Sequence, residues 1–402
     1  MNIVILAHRV PFPANKGEKI RTFHQLELLA KQGHNIHLFA PYDAPGDLSF
    51  FDELKRVLPC QVSAFELPSK PYRMIMGMVK GDSLSESNFY SHHLQQHFDQ
   101  SLLAERPDIV MCTASSMAPY LFNSKTLKIM SRKPKLLMDF MDVDSDKWRQ
   151  YAESSRWPMR WIYQREQKLV AACEKKIATE FDECYLIAAA EVALFKQQVT
   201  PTDNVKVLGN GLDTRAFYPA KNKHRNHAPV FLFTGVMDYK PNVDAVVWFV
   251  QTCWKQILQL HPDAKFIIAG MTPNKEVNKL TAFTGVQVTG FVEDILPYYH
   301  QADIFVAPFR LARGVQNKVL QAFSCGLAVV STPMGAEGIA CNDQEHLLLA
   351  NCAEDFLAKI ASLVDDPALS ASLGSNALSL IEKQYSWEGQ LQPLINAIGK
   401  EI

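Results

Sequence analysis

Between Arg310 and Thr332 the chain reads RLARGVQNKVLQAFSCGLAVVST. Directly after an apolar run, DIFVAP, this stretch sets a glycine (Gly314), two amides (Asn317 and Gln321) and one lysine (Lys318) at the mouth of a helix. Glycine lets backbone N–H groups approach an anion, and the helix dipole favours negative charge at that end. A second lysine is placed alike: after VFLFTG comes VMDYKPNVDAVVWF, where Pro241 and Asn242 start a helix and Lys240 stands just outside it. Either lysine alone reads as a solvated surface charge. Two of them, at two strand-to-helix turns of one sheet, converge on one end of that sheet, where a diphosphate can be held without metal by ammonium charge and helix N-termini.

Two further clusters could do chemistry. After the first apolar run comes HRVPFPANKGEKIRT, in which Gly17 opens a helix beside Lys16, Lys19 and Arg21, another anion-compatible helix start. It lacks the G-x-G-x-x-G of a dinucleotide fold. The stretch MDFMDVDSD carries Asp139, Asp142, Asp144 and Asp146 after a strand. Clustered carboxylates suit a hard cation, but equally a polar cleft wall and the cap of the following helix by Asp144 or Ser145, and no metal is expected.

Something must position these groups. Short apolar runs alternate with amphipathic segments throughout, the pattern of parallel βαβ units. Strands are predicted at 2–7, 35–40, 62–67, 108–112, 135–140, 184–188 and 205–208, then at 230–235, 265–270, 286–290, 303–308, 327–332 and 346–350. A helix over 17–32 has Ile20, Phe23, Leu26 and Leu29 on one stripe and Gly33 as its stop. The fold class is α/β, two Rossmann-like doubly wound domains facing a cleft. The expected bounds are 1–215 for a first domain, 216–229 for a polar linker, 230–382 for a second domain, and 383–402 for a C-terminal helix that crosses back. Ligands of such sheets sit at the carboxyl ends of the strands.

Bulk properties exclude other classes. Of the 402 residues, 48% are hydrophobic and 21% charged, and the net charge is -1. Residues 1–215 carry 27 Lys+Arg against 25 Asp+Glu, and 216–402 carry 14 against 17. That is +2 and -3, too little for a nucleic-acid binder that neutralises many phosphates. The eight cysteines form no CxxC pair and lie mostly in apolar surroundings, as thiols do in reducing compartments. A cytoplasmic location is expected. The opening NIVILAHRV is too short for a signal peptide, and no apolar run approaches the roughly 18 residues of a membrane span. Residues 156–176 join six cations (Arg156 to Lys176) with Trp157 and Trp161. This combination suits peripheral contact with the inner face of the plasma membrane, or equally a packed helix with a charged outer face.

Several blocks, taken in order, carry a resemblance: RVPFPANKGEKIRTFH from Arg9, MDFMDVDSDKWRQYA from Met138, WPMRWIYQREQKLVAACEKKIATEFDE from Trp157, NGLD from Asn210, FTGVMDYKPNVDAVVWF from Phe233, TGFVEDILPYYHQADIFVAPFRLARGVQNKVLQAF from Thr289, and GAEGI from Gly335. On these the chain resembles retaining, nucleotide-sugar-dependent glycosyltransferases of the GT-B fold, family 4, and most closely the sugar transferases of exosortase-associated exopolysaccharide loci. The resemblance implies that Lys240 and Lys318 contact the diphosphate of a nucleotide-sugar donor, with Arg310, Gly314 and Asn317 helping. It further implies that Gly290, Phe291 and Val292 meet the base by backbone, that Gly17 approaches the donor phosphate, and that Asp142 or Asp144 meets the acceptor, a saccharide or lipid-linked saccharide. No cofactor beyond the donor is implied. The chain departs from the family in placing Arg313 and Gln321 where two glutamates are common, the second of which holds the ribose, and in lacking a histidine after DIVMC. A neutral amide still hydrogen-bonds a diol, more weakly than a carboxylate. The alternatives are a nucleotide-sugar epimerase of the same architecture and a non-catalytic nucleotide-sugar-binding partner in polysaccharide assembly.

Overall fold

The computed structural model describes residues 1–14, 17–221, 228–311 and 315–399. It forms two compact units, Met1–Asn210 with Gln390–Ile402, and Gly211–Gly389. The chain therefore leaves the first unit ahead of the polar 216–229 stretch. Packing explains the early exit: the Leu212 N–H donates to the Tyr385 carbonyl at 2.6 Å, Ser324 Oγ donates to the Phe217 carbonyl at 2.6 Å, and His300 Nε2 donates to the Tyr218 carbonyl at 2.7 Å. Composition marks what is polar, whereas these contacts decide where the chain changes unit.

In the first unit, seven strands form one parallel sheet: β1 (Asn2–Ala7), β2 (Asn35–Tyr42), β3 (Gln61–Glu66), β4 (Ile109–Thr113), β5 (Lys135–Met141), β6 (Glu183–Leu186) and β7 (Val205–Val207). Their order is β3-β2-β1-β4-β5-β6-β7. Ile3 of β1 pairs with Ile36 on one side and Ile109 on the other. The central strands read as unbroken apolar runs because helices cover both faces.

The helices that bear on the site are α1 (Gly17–Lys31), α2 (Lys70–Lys80), α3 (Leu84–Ser87), α4 (Asp144–Ser154) and α5 (Met159–Glu180). In α1 the buried face holds Arg21, Gln25, Leu26 and Leu29, while Ile20 and Phe23 are only partly buried. The stripe expected from apolar spacing is rotated because Arg21 and Gln25 reach inward to Asp139 of β5.

The second unit repeats the plan with β8 (Val230–Thr234), β9 (Lys265–Ala269), β10 (Val286–Val288), β11 (Ile304–Ala307), β12 (Ala328–Ser331) and β13 (Leu348–Leu349), in the order β10-β9-β8-β11-β12-β13 and again parallel. Helices α6 (Lys240–Phe249) and α7 (Asn317–Ser324) follow β8 and β11. Phe233 stacks on Phe305 at 6.4 Å, and Trp254 packs against Phe231, Phe249 and Phe266. Each such fully buried large side chain contributes about 1.5–3 kcal/mol. A further helix, α8 (Gln392–Gly399), belongs to the first unit, where the Lys135 ammonium donates to the Ala397 carbonyl at 2.8 Å.

Candidate active site

In the second unit β8 and β11 are neighbours, and the crossovers leave them in opposite directions along the sheet. Their carboxyl ends open a crevice, the usual ligand position of such sheets. The crevice, about 300 Å³, is lined by Gly235, Gly270, Phe291, Val292, Asn317, Lys318 and Gln321, among others. Lys318 sits one residue into α7 and donates to Asn242 Oδ1 at 2.5 Å. Its ammonium also lies 4.8 and 5.0 Å from the ring centres of Phe233 and Phe309. Among the described residues no carboxylate is paired with it, and burial pushes its pKa down to about 8. An ammonium held ready in a desolvated crevice is a strong site for an anion.

The glycines after β8 and β9 keep this crevice open. Gly235 has φ +156°, and a Cβ there would lie 2.7 Å from Asn242 Nδ2 and 2.9 Å from Lys318 Nζ. A Cβ on Gly270 would overlap the Gly235 carbonyl oxygen. Behind them Tyr299 Oη lies 2.7 Å from Thr234 Oγ1 and donates to Gln321 Oε1 at 3.0 Å, which orients the Gln321 amide in the crevice wall.

The first unit has its own cavity at the equivalent switch point between β1 and β4, about 610 Å³. Gly17, Asp142 and Asp144 line it. Lys147 reaches Asp142 at 2.9 Å and Asp144 at 3.3 Å, and Ser115 Oγ donates to Asp144 at 3.0 Å. Burial alone would lower the Lys147 pKa, but these two carboxylates hold it above its ordinary value. Asp139 lies beneath, bound bidentately by Arg21 at 2.6 and 2.9 Å and by Gln25 Nε2 at 2.6 Å. Asp146 is engaged by Arg149 and Gln150. Asp142 and Asp144 thus share Lys147 while Asp139 and Asp146 face other basic and amide groups, and among the described residues no three His, Cys, Asp or Glu side chains gather as metal ligands would.

At the head of α4, Glu174 of α5 accepts from the Ser145 N–H at 3.1 Å and from its hydroxyl at 2.5 Å. Burial raises the Glu174 pKa to about 8. The helix start is therefore capped by a carboxyl on another helix, a longer-range arrangement than the local cap by Asp144 or Ser145. Two residues on the cavity wall, Ala114 (φ +152°) and Met141 (φ +67°), hold backbone conformations costing about 1–3 kcal/mol each.

The structure places the sequence-predicted residues unevenly. Asn317, Lys318, Gln321, Phe291 and Val292 line the second unit's crevice, with Gly290 (φ +71°) adjoining them. Gly314, like Arg313 and Lys16, lies outside the described residues. Lys240 does not line the crevice: it is exposed at the first position of α6, and buried Asn242 faces Lys318 instead. Two helical residues step about 200° round the axis, so only one of this pair can point inward. Arg310 is likewise absent from the lining, because it forms a bidentate ion pair with Asp244 at 2.6 and 3.1 Å and lies 5.7 Å from the Trp248 ring centre.

One functional candidate escaped the sequence reading. His8, directly after β1, lines the first unit's cavity, donates through Nδ1 to the Thr113 carbonyl at 2.8 Å and packs edge-on against Phe89. Burial lowers its pKa, so the neutral ring presents Nε2 as an acceptor. Its position at a strand end was the available signal.

Residues 228–366 match the family model described as glycosyl transferases group 1. An uncharacterized 44.6 kDa protein in the cps region of Klebsiella pneumoniae is 23% identical over 398 residues, 95% of this chain and 96% of that one. A GDP-mannose-dependent monoacylated alpha-(1-6)-phosphatidylinositol monomannoside mannosyltransferase of Corynebacterium glutamicum is 22% identical over 249 residues, 56% of this chain and 64% of that one. Among solved structures, Anabaena HepE in complex with UDP superposes with a TM-score of 0.62 at 13% identity, covering 100% of both chains. The fold is the two-domain Rossmann-like architecture of GT-B glycosyltransferases.

Proposed function

We propose, from the glycosyltransferase activity of GT-B type that the family match and the fold support, that this chain moves a sugar with retention from a nucleoside diphosphate sugar to a saccharide acceptor, lipid-linked or an exopolysaccharide precursor. The observation that carries the reading is Lys318, an ammonium desolvated at a sheet switch point beside glycines whose missing side chains leave room for an anion. In this reading Lys318 and the first amides of α7 meet the diphosphate and stabilise the charge that grows on it as the sugar leaves. Lys240, exposed at the start of α6, is assigned the outer phosphate. Gln321, oriented by Tyr299, holds the ribose, and the backbone at Gly290–Val292 meets the base. The first unit's cavity holds the acceptor, with Asp142 and Asp144 orienting its hydroxyls, and the leaving phosphate takes the acceptor's proton. The positive charge comes from the chain itself, so transfer proceeds in chelator.

The test is a thermal-shift screen of the purified chain against nucleoside diphosphates and their sugars, since a ligand that binds only the native state stabilises it by mass action. The best donor then goes into a transfer assay in chelator, with the anomeric configuration of the product read by NMR. A chain that no nucleoside diphosphate stabilises would sink the proposal.

Two substitutions probe the crevice. Gly235→Ala drives a methyl group against Asn242 and Lys318, and calorimetry should show nucleoside diphosphate affinity reduced about tenfold or more, equivalent to roughly 1.4 kcal/mol. Gln321→Glu keeps the bond from Tyr299 and gives the ribose a charged acceptor, so the donor KM should fall several-fold. An unchanged KM would remove Gln321 from the ribose contact.

A further inference from the structure

We propose that His8 is an acceptor-binding residue: its Nε2 takes a hydrogen bond from a hydroxyl of an uncharged sugar ring seated in the first unit's cavity. The inference rests on the acceptor reading above and deepens it, naming the group that receives the hydroxyl and the charge class of the ligand.

The ring is fixed on one side only. Ala7, the last residue of β1, pairs with Thr113 of β4, and His8 follows at the switch point between the two strands. Its Nδ1 donates to the Thr113 carbonyl at 2.8 Å, and Phe89 meets the ring edge-on with 5.4 Å between centres. That bond settles the tautomer, because in a neutral imidazole the nitrogen opposite the donor is a lone-pair acceptor. Nε2 has no partner among the described residues, and it is not one of the unpartnered atoms sealed from solvent. Since His8 lines the cavity, an acceptor atom of fixed direction is left for whatever enters. Burial and Arg9 push the His8 pKa down against the Thr113 bond, Glu18 and Asp144. Such a ring is a poor proton acceptor near neutral pH but a good hydrogen-bond acceptor, so its task is binding, and the proton goes to the leaving phosphate.

The rest of the lining selects the ligand. Among the described residues four cations line the cavity, but Arg9 is paired with Glu18 at 3.5 Å, Arg21 with Asp139, and Lys147 with Asp142 and Asp144. The fourth, Lys70, is exposed at the start of α2. With the inner charges compensated in this way a phosphate gains little over water, whereas a hydroxyl donates to Nε2 without breaking any pair. Phe89, Phe140, Trp148 and Tyr151 add aromatic surface, and the Trp148 indole is held by Ser85 Oγ at 3.2 Å. Aromatic faces cover the C–H face of a sugar ring while its rim of hydroxyls meets Nε2 and the two aspartates.

The experiment uses the full chain and a panel of methyl glycosides of the common hexoses and N-acetylhexosamines, with inorganic phosphate as the charged probe. Nitrogen NMR of the side chains of the twelve histidines should show an unprotonated Nε2 that shifts when the best glycoside is added and stays put with inorganic phosphate. Two variants separate binding from architecture, because asparagine and glutamine each copy one ring nitrogen. His8→Asn keeps a donor to the Thr113 carbonyl and removes the group at Nε2. It should melt within a few degrees of the wild type and bind the glycoside about twofold to tenfold more weakly by calorimetry, the loss of one hydrogen bond. His8→Gln places an amide at Nε2 and abandons Thr113, so it should melt lower yet bind more tightly than His8→Asn. In the transfer assay His8→Asn should raise the acceptor KM and leave the donor KM unchanged. A purely structural histidine gives the opposite order of the two variants. Whichever variant folds also identifies the His8 signal by its loss.

A panel in which no glycoside shifts an unprotonated Nε2, an equal response to inorganic phosphate, or glycoside affinity undiminished in a folded His8→Asn would each overturn the assignment. Glycoside binding that meets these expectations in a chain that no nucleoside diphosphate stabilises would keep His8 and reject the transferase reading. Transfer to a saccharide with a wild-type acceptor KM in His8→Asn would do the reverse.

Discussion

Replacing Lys318 with methionine should raise the melting temperature and reduce sugar transfer by about a hundredfold to a thousandfold. The two effects have one cause. Lys318 is an ammonium held in a desolvated crevice by one amide oxygen and two aromatic faces, with no carboxylate partner among the described residues. Burying an unpaired charge is costly, and a methionine of similar length removes that cost. The same charge is what the leaving diphosphate requires, and loss of one preorganised group at a developing anion costs about 2.7–4 kcal/mol in transition-state stabilisation.

The pH dependence follows the same logic. Burial lowers the native pKa to about 8, against an ordinary value of 10.5. Between those values the native chain gives up a proton that the unfolded chain keeps, so this group's contribution to stability rises with pH across that interval. Nucleoside diphosphate binding needs the proton and should weaken by up to about tenfold per pH unit above 8. Lys318→Met should flatten both profiles. Melting curves and calorimetry at pH 7 to 10 check this, and a variant that transfers sugar at the wild-type rate removes Lys318 from the chemistry.

The second large effect lies in the first unit. Asp139→Asn should destabilise the protein by about 3–5 kcal/mol, the usual result of leaving one member of a buried ion pair uncompensated. Arg21 and Asp139 are 1% and 0% exposed and joined by two hydrogen bonds. Denaturant unfolding followed by circular dichroism gives the measurement. The double substitution Arg21→Met with Asp139→Leu should recover most of the loss, because apolar side chains of similar volume replace a buried pair at little cost. A single substitution with unchanged stability would mean that water reaches the pair.

How far the sequence could be read depends on the range of the interaction. All thirteen strands are present within a few residues of their predicted bounds because an apolar run bounded by turn residues is a local signal. Lys318 was likewise visible as a cation at a helix mouth. The difference between Lys240 and Asn242 was not, since it depends on the rotation of α6 about its axis, which packing sets. Nor was the Arg21–Asp139 pair, whose members are 118 residues apart. Arg21 read as one more cation near a helix start, and Asp139 as one more acid in a cluster. In the sequence Gly235 and Gly270 simply end two predicted strands. Only in three dimensions does it emerge that a methyl group on either would collide with its neighbours.

The first unit includes α8, whose Leu394, Ala397 and Ile398 are buried and whose last turn receives the Lys135 ammonium. During translation, then, the domain that starts first cannot be completed first. Its final piece emerges from the ribosome only after the whole of the other domain has been made. Until that moment it lacks the helix whose carbonyl the Lys135 ammonium engages, and chaperones should linger on it rather than on its later-made neighbour.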